Sequence, residues 1–146
     1  FKEFPLDPNK QSIMGHSMGG LGALNIAFRN PEIYKTVSAF APIANPTKGV
    51  WGQKQFEAYL GNDRNKWKKY DPSILLSEQG YKGKILVDQG TNDDFLKNLM
   101  PESLEKIFKL RKNGDQIRYQ KDYDHSYFFV SSFLRDHIIW HKENIN

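Results

Sequence analysis

The stretch Gln11-Ser12-Ile13-Met14-Gly15-His16-Ser17-Met18-Gly19-Gly20-Leu21-Gly22-Ala23-Leu24-Asn25-Ile26-Ala27-Phe28-Arg29 changes its pattern in the middle. Gln11–Met14 is a short apolar-ended run after the turn-like Asp7-Pro8-Asn9 and reads as a strand. Met18–Arg29 reads as a helix, with Leu21, Leu24 and Phe28 on one stripe and Ala23, Ile26 and Ala27 filling much of the rest. A helix that is apolar around most of its circumference is buried. Asn30-Pro31 stops it, because the residue before a proline is pushed out of helical space. Between strand and helix, Gly15-His16-Ser17-Met18-Gly19 fits G-x-S-x-G in the strand–turn–helix context that this motif requires.

Working outward, the alternation continues. Thr36–Ala41 reads as a second strand, stopped by Pro42. Residues 45–62 form a long excursion rich in Gly and Pro around Trp51, with a short helix near Gln53–Leu60. Arg64–Lys69 and Pro72–Glu78 read as further short helices. Lys84–Gln89 is a continuous apolar run, as expected of a parallel strand covered on both faces. Pro101–Lys112 is a helix with proline at its start and Asn113-Gly114 as its stop. Gln116–Gln120 is a fourth strand. Ser126–Lys142 is the closing helix, with Val130, Leu134 and Ile138 four apart and Phe133 beside them. Strands alternating with helices imply βαβ units and a parallel sheet.

The 146 residues are enough for one domain, 1–146, with a sizeable core. Aromatic residues make up 14 %, which excludes a disordered chain. No apolar run approaches the ~18 residues of a membrane span. No basic-then-apolar N-terminus marks a signal peptide. With no cysteine, a disulfide, a zinc ribbon and a thiol nucleophile are excluded, and the chain is compatible with the cytosol. The 21 basic and 17 acidic residues are too evenly mixed for a nucleic-acid binder. The one basic stretch, Arg64-Asn65-Lys66-Trp67-Lys68-Lys69, reads as a solvated helix face with Trp67 turned inward. Residue 1 is Phe1, and Met14, Met18 and Met100 all fall inside expected elements. The stretch is therefore expected to be the tail of a longer chain.

In a G-x-S-x-G elbow the serine sits on a strained turn that lifts its hydroxyl clear of the sheet. Side chains two residues to either side would collide there, so both positions are expected to need glycine, while Gly20 and Gly22 let the helix pack closely. The backbone N–H of Met18 opens the helix and faces the place where an oxyanion would develop. Ser17 needs a base. Triads on such an elbow run in chain order serine, acid, histidine. His16 lies too close in the chain to serve. His137 and His141 stand four apart on the last helix, but Ile138 occupies the place of the glutamate that a helical metalloprotease site needs, so they read as exposed or packing residues rather than metal ligands. His125, in Tyr123-Asp124-His125-Ser126 after the fourth strand, is the best placed. The acid belongs after the third strand, in Asp88-Gln89-Gly90-Thr91-Asn92-Asp93-Asp94-Phe95. Spacing leaves Asp93 and Asp94 both open. Asp122 and Asp124 adjoin the histidine and read better as turn residues.

Taken in order, Gly15-His16-Ser17-Met18-Gly19-Gly20, Ser38-Ala39-Phe40-Ala41-Pro42-Ile43, Trp51-Gly52, Tyr59-Leu60-Gly61, Asp88-Gln89-Gly90, Phe95-Leu96 and Tyr123-Asp124-His125-Ser126-Tyr127 resemble the S-formylglutathione hydrolase, or esterase D, family. The first motif alone fits many hydrolases; the ordered set is far more specific. The resemblance implies an α/β-hydrolase fold, of which this chain is the C-terminal half, with about four mostly parallel strands and flanking helices. It implies a cytosolic serine thioesterase that splits S-formylglutathione into formate and glutathione, hydrolyses simple esters, needs no cofactor or metal, and often forms a homodimer. By resemblance Ser17 is the nucleophile, His125 the base, Asp93 the acid and Met18 N–H one oxyanion donor. It also implies that the earlier strands are missing, with the loop that carries the second oxyanion donor, so that Gln11–Met14 becomes a sheet edge. A general carboxylesterase and a non-catalytic fragment that binds a partner through that edge are the alternative readings.

Overall fold

The structure, a computed structural model, describes residues 3–145. Four strands, β1 (Gln11–His16), β2 (Tyr34–Phe40), β3 (Lys84–Gly90) and β4 (Gln116–Gln120), form one sheet in the order β1-β2-β3-β4. All three pairings are parallel. Seven helices flank it: α1 (Met18–Arg29), α2 (Val50–Leu60), α3 (Arg64–Lys68), α4 (Pro72–Glu78), α5 (Leu96–Leu99), α6 (Glu102–Arg111) and α7 (Tyr127–Asn144). The expected alternation is therefore present, with several element ends shifted by a few residues and one helix added. β1 runs two residues further, straight into the serine. β2 ends at Phe40 rather than Ala41, because Ala41 takes a left-handed φ of 43°. α2 starts at Val50, before the expected Gln53. The single turn α5 carries no periodic apolar signal in so short a segment.

Alternation along the inner strands divides the core in two. Val37, Ala39, Ile85 and Val87 face one side, where α1, α4 and α6 cover them with Leu24, Ala27, Phe28, Leu75, Leu76, Leu104 and Phe108. Thr36, Ser38 and Phe40 of β2 and Asp88 of β3 face the other side, which α7 covers. In α1 the buried positions are those of the expected stripe, while Ile26 is exposed.

The inward face of α7 differs from the apolar spacing in the sequence. Leu134 and Ile138 are exposed, and the buried residues are Phe129, His137, Trp140 and His141. The two histidines, expected to be exposed or packing, both pack. The sheet face supplies the reason, because it is polar where α7 crosses it. His141 bonds the Thr36 hydroxyl through Nδ1 at 2.7 Å and the Ser38 hydroxyl through Nε2 at 2.8 Å, and Thr36 in turn bonds Ser12 at 2.7 Å. His137 stacks on Phe40 with ring centroids 3.8 Å apart. Its Nε2 lies 3.5 Å from Asp88, whose carboxylate also receives both arms of Arg118 at 2.6 and 2.8 Å and the Gln120 amide at 2.9 Å. A hydrophobic helix face laid there would leave the Ser38 hydroxyl without its partner, at about 1–3 kcal/mol.

Elsewhere, Trp67 is buried and donates its indole N–H to the Gly61 carbonyl at 2.7 Å, so the basic stretch is a solvated face over an inward tryptophan. Buried Asp71 caps α4 through the N–H groups of Ser73 and Ile74 and reaches across to Thr47, which ties the excursion down. No described helix is long and apolar enough to cross a membrane.

Burial, reinforced by the neighbouring His137, depresses the His141 imidazole from 6.5 to about 4. The unfolded chain therefore takes up this proton first as the pH falls. The stabilisation is complete above 6.5 and is lost between 6.5 and about 4, to the extent of about 3 kcal/mol. His137 and His16 are lowered too and act in the same direction. Urea midpoints should thus fall from pH 7 to pH 4 in the parent and fall distinctly less in His141→Gln. An equal fall in both proteins would mean that His141 is not held neutral.

Candidate active site

Ser17 stands at the junction of β1 and α1 with φ 55° and ψ −118°, a left-handed conformation rarely taken by a residue with a side chain. Its N–H is fixed to the Phe40 carbonyl at 2.8 Å and its carbonyl accepts Leu21 N–H at 3.0 Å. The glycine requirement around it is uneven. A Cβ on Gly15 would overlap the Gly19 carbonyl and approach the Gly20 nitrogen to 2.9 Å. A Cβ on Gly20 would press on Pro42 at 3.0 Å. A Cβ on Gly19 or Gly22 would meet nothing. The expected collision therefore exists on one side only: Gly15 makes room for the backbone of Gly19. Close packing of the helix needs Gly20 and not Gly22. Met18 N–H is the first of α1, among the donors that a helix leaves without an internal acceptor. The Met18 side chain is exposed and lines an apolar groove with Leu21, Phe56 and Tyr59.

The acid and the histidine meet at the C-terminal ends of β3 and β4. The two loops are laced by Thr91 N–H to Gln120 O at 3.0 Å, Asn92 N–H to Tyr123 O at 2.9 Å and Asp122 N–H to Thr91 Oγ1 at 2.9 Å. Gly90 makes this approach possible, since a Cβ there would overlap the Tyr123 carbonyl and lie 2.8 Å from that of Asp124. Of the two acids that spacing left open, Asp93 is buried and Asp94 is exposed. Asp93 Oδ2 lies 2.7 Å from His125 Nδ1, and Asp93 Oδ1 accepts Phe95 N–H at 2.8 Å. Asp124 binds Ser126, and Asp122 sits at a left-handed φ of 63°, so both are turn residues.

Burial works to raise the Asp93 carboxyl, but hydrogen bonds from His125, Phe95 N–H and Gln89 outweigh it and hold the group below the usual carboxylate range. An ionised carboxylate only accepts, so His125 Nδ1 carries the proton of that bond, and in the neutral ring Nε2 then keeps the lone pair that a general base needs. Among the described residues, no hydrogen bond joins Ser17 Oγ to His125. The connection is a packing one: the His16 ring lies 4.6 Å from that of His125. Such contacts are often long in the absence of substrate. Burial, and then the nearby His125, lower the His16 imidazole, so it adds no positive charge beside the candidate base. On the far side Phe95 packs edge-on against His125 at 5.0 Å and carries Trp51 of the excursion at 5.0 Å.

From the sequence Gly90 is expected only to open the turn after the third strand, and His16, Gln89 and Phe95 carry no role in the site. Gly90 and Gln89 lay in the quoted motif, where a glycine ending a buried strand could have signalled a close backbone approach.

A family model described as "Putative esterase" matches residues 2–139. The chain belongs to that esterase family. It is 54 % identical over 145 residues to an S-formylglutathione hydrolase of Paracoccus denitrificans, covering 99 % of this chain and 52 % of the relative. An S-formylglutathione hydrolase structure from Agrobacterium tumefaciens superposes with a TM-score of 0.88 at 42 % identity, over 99 % of this chain and 53 % of that one. A fluorophosphonate-binding serine hydrolase of Staphylococcus aureus shares the fold, with a TM-score of 0.69 at 22 % identity over 96 % of this chain and 58 % of that one. The chain thus spans about half the length of the relatives it matches. Its four parallel strands and flanking helices are part of an α/β-hydrolase fold.

The lacing of the two loops gives a test. Gly90→Ala should push the histidine loop away and speed hydrogen exchange at the Asn92 and Thr91 N–H groups by at least about tenfold, the equivalent of one lost net hydrogen bond. Gly22→Ala, where an added Cβ meets nothing, is the control and should leave both rates unchanged.

Proposed function

We propose that this chain carries the catalytic groups of a cytosolic serine thioesterase that hydrolyses S-formylglutathione, with simple carboxylic esters as further substrates. The 2.7 Å contact between His125 Nδ1 and the ionised Asp93, next to a serine held at a left-handed φ, supports this reading most strongly. The 54 % identity to an S-formylglutathione hydrolase favours a thioester over other acyl donors. No metal or cofactor is needed by this chemistry, and a homodimer is the assembly we propose.

In this mechanism Ser17 Oγ attacks the formyl carbon and its proton passes to His125 Nε2. The oxyanion forms against Met18 N–H at the start of α1. The glutathione sulfur then leaves with the proton from His125, and formate stays esterified to Ser17. Water gives its proton to the same nitrogen and attacks the ester. Collapse of the second tetrahedral species releases formate and restores the serine. Asp93 stabilises the imidazolium in both halves without taking a proton itself. By the family resemblance, a second oxyanion donor belongs on a loop that residues 1–146 do not contain. The chain alone should therefore turn over at least about 10²-fold more slowly than a polypeptide that includes that donor.

The test is thioester turnover in the longest polypeptide that contains this chain. Ser17→Ala should leave only the residual rate of a site without a nucleophile. Asp93→Asn should cost about 10⁴-fold, and Asp94→Asn only a few-fold. If Ser17→Ala retained most of the activity, or the two aspartates ranked in reverse, the assignment would be wrong.

A further inference from the structure

Gln89 is fully buried at the C-terminal end of β3, on the strand face opposite Asp88. Its Nε2 donates to Asp93 Oδ2 at 2.9 Å, the oxygen that also accepts from His125, and reaches the Gly90 carbonyl at 3.2 Å. Both partners only accept, and this fixes the orientation of the amide: turned over, it would set Oε1 against two oxygens. Oε1 itself is buried without a partner. A glutamine kept in the core with half of its polar capacity unused is an expensive choice for packing alone, because an unpaired buried acceptor costs about 1–3 kcal/mol.

We propose that Gln89 is a positioning residue for the acid, donating to Asp93 Oδ2 so that the carboxylate stays ionised and holds one rotamer toward His125. It touches no substrate and acts through Asp93. The role rests on Asp93 and His125 working as a pair in the hydrolase proposed above. The amide also draws charge from Oδ2, which moderates the pull of that oxygen on the Nδ1 proton. The titratable groups facing the Gln89–Asp93 contact are His125 from the loop after β4 and His16 from β1. Asp88, Arg118 and His137 lie beneath the other face of the sheet, and Asp94 is exposed.

Two nearly isosteric variants test this. Gln89→Met removes both donor bonds and relieves the unpaired oxygen, so the fold should survive. Gln89→Glu sets a carboxyl against the Asp93 carboxylate, and two carboxylates so close cannot both be ionised. The new carboxyl therefore holds a proton and donates as the amide did, until rising pH removes it. Proton NMR of the chain should show the low-field His125 Nδ1–H resonance, moved further downfield in Gln89→Met. In the longest polypeptide containing the chain, Gln89→Met should lower kcat by about 10–100-fold with KM little changed, the usual size of effect for an outer partner of a functional group. Gln89→Glu should regain most of that kcat where the new carboxyl is protonated and His125 is neutral, and lose it on a descending alkaline limb that the parent lacks. An unmoved resonance together with a parental pH profile in both variants would overturn the proposal. A moved resonance in a protein whose Ser17→Ala variant keeps its turnover would sustain the positioning role and refute the proposed hydrolase instead.

Discussion

The left-handed backbone at Ser17 is the constraint on which the site depends. A side chain at φ 55° is unfavourable by itself, and the surrounding chain must hold it there. Phe40 does so from the neighbouring strand by accepting the Ser17 N–H, and Gly15 does so by leaving room for the Gly19 backbone. Because the Phe40 carbonyl belongs to β2, the elbow exists only when β1 and β2 pair in register. Ala41 then continues the chain in its own left-handed turn, with its N–H on the Asp88 carbonyl of β3. Three adjacent strand ends are thereby linked through consecutive residues, and the loop carrying Asp93 starts from the last of them.

The two faces of β3 divide the work at that point. Asp88 looks toward α7; Arg118 neutralises it and the Gln120 amide bonds it, which fixes β4 to the sheet, and His137 of the closing helix lies 3.5 Å away. Gln89 looks the other way and reaches the acid. A shift of register by one residue would exchange these faces and separate both carboxylates from their partners. The polar content of the strand is thus needed on both sides, although the Ile85-Leu86-Val87 run dominates its reading as a buried strand.

Much of this was legible in the sequence, and the physical reason differs from one element to the next. The elbow was visible because a strand, a glycine-flanked serine and a helix with a buried circumference occur in uninterrupted order. The parallel sheet followed from four strand-like runs separated by helical ones. The inward face of α7 was not legible, because Val130, Leu134 and Ile138 display a regular apolar spacing while Leu134 and Ile138 are exposed and His137 and His141 lie inside. Burial of His141 depends on the hydroxyls of Thr36 and Ser38, which are 105 and 103 residues away in the chain. Spacing likewise could not separate Asp93 from Asp94. The fold does so through the Asp93 bonds to His125, Phe95 N–H and Gln89, and the family resemblance implied the same residue.

The proposed function rests on Ser17 as a nucleophile activated by His125. The most direct measurement is peptide mapping by mass spectrometry after reaction of the longest polypeptide containing this chain with a fluorophosphonate. A single phosphonylated residue, Ser17, is expected, with loss of that adduct in a His125→Ala protein that stays folded. An adduct on a different serine, or undiminished labelling of Ser17 without His125, would contradict it.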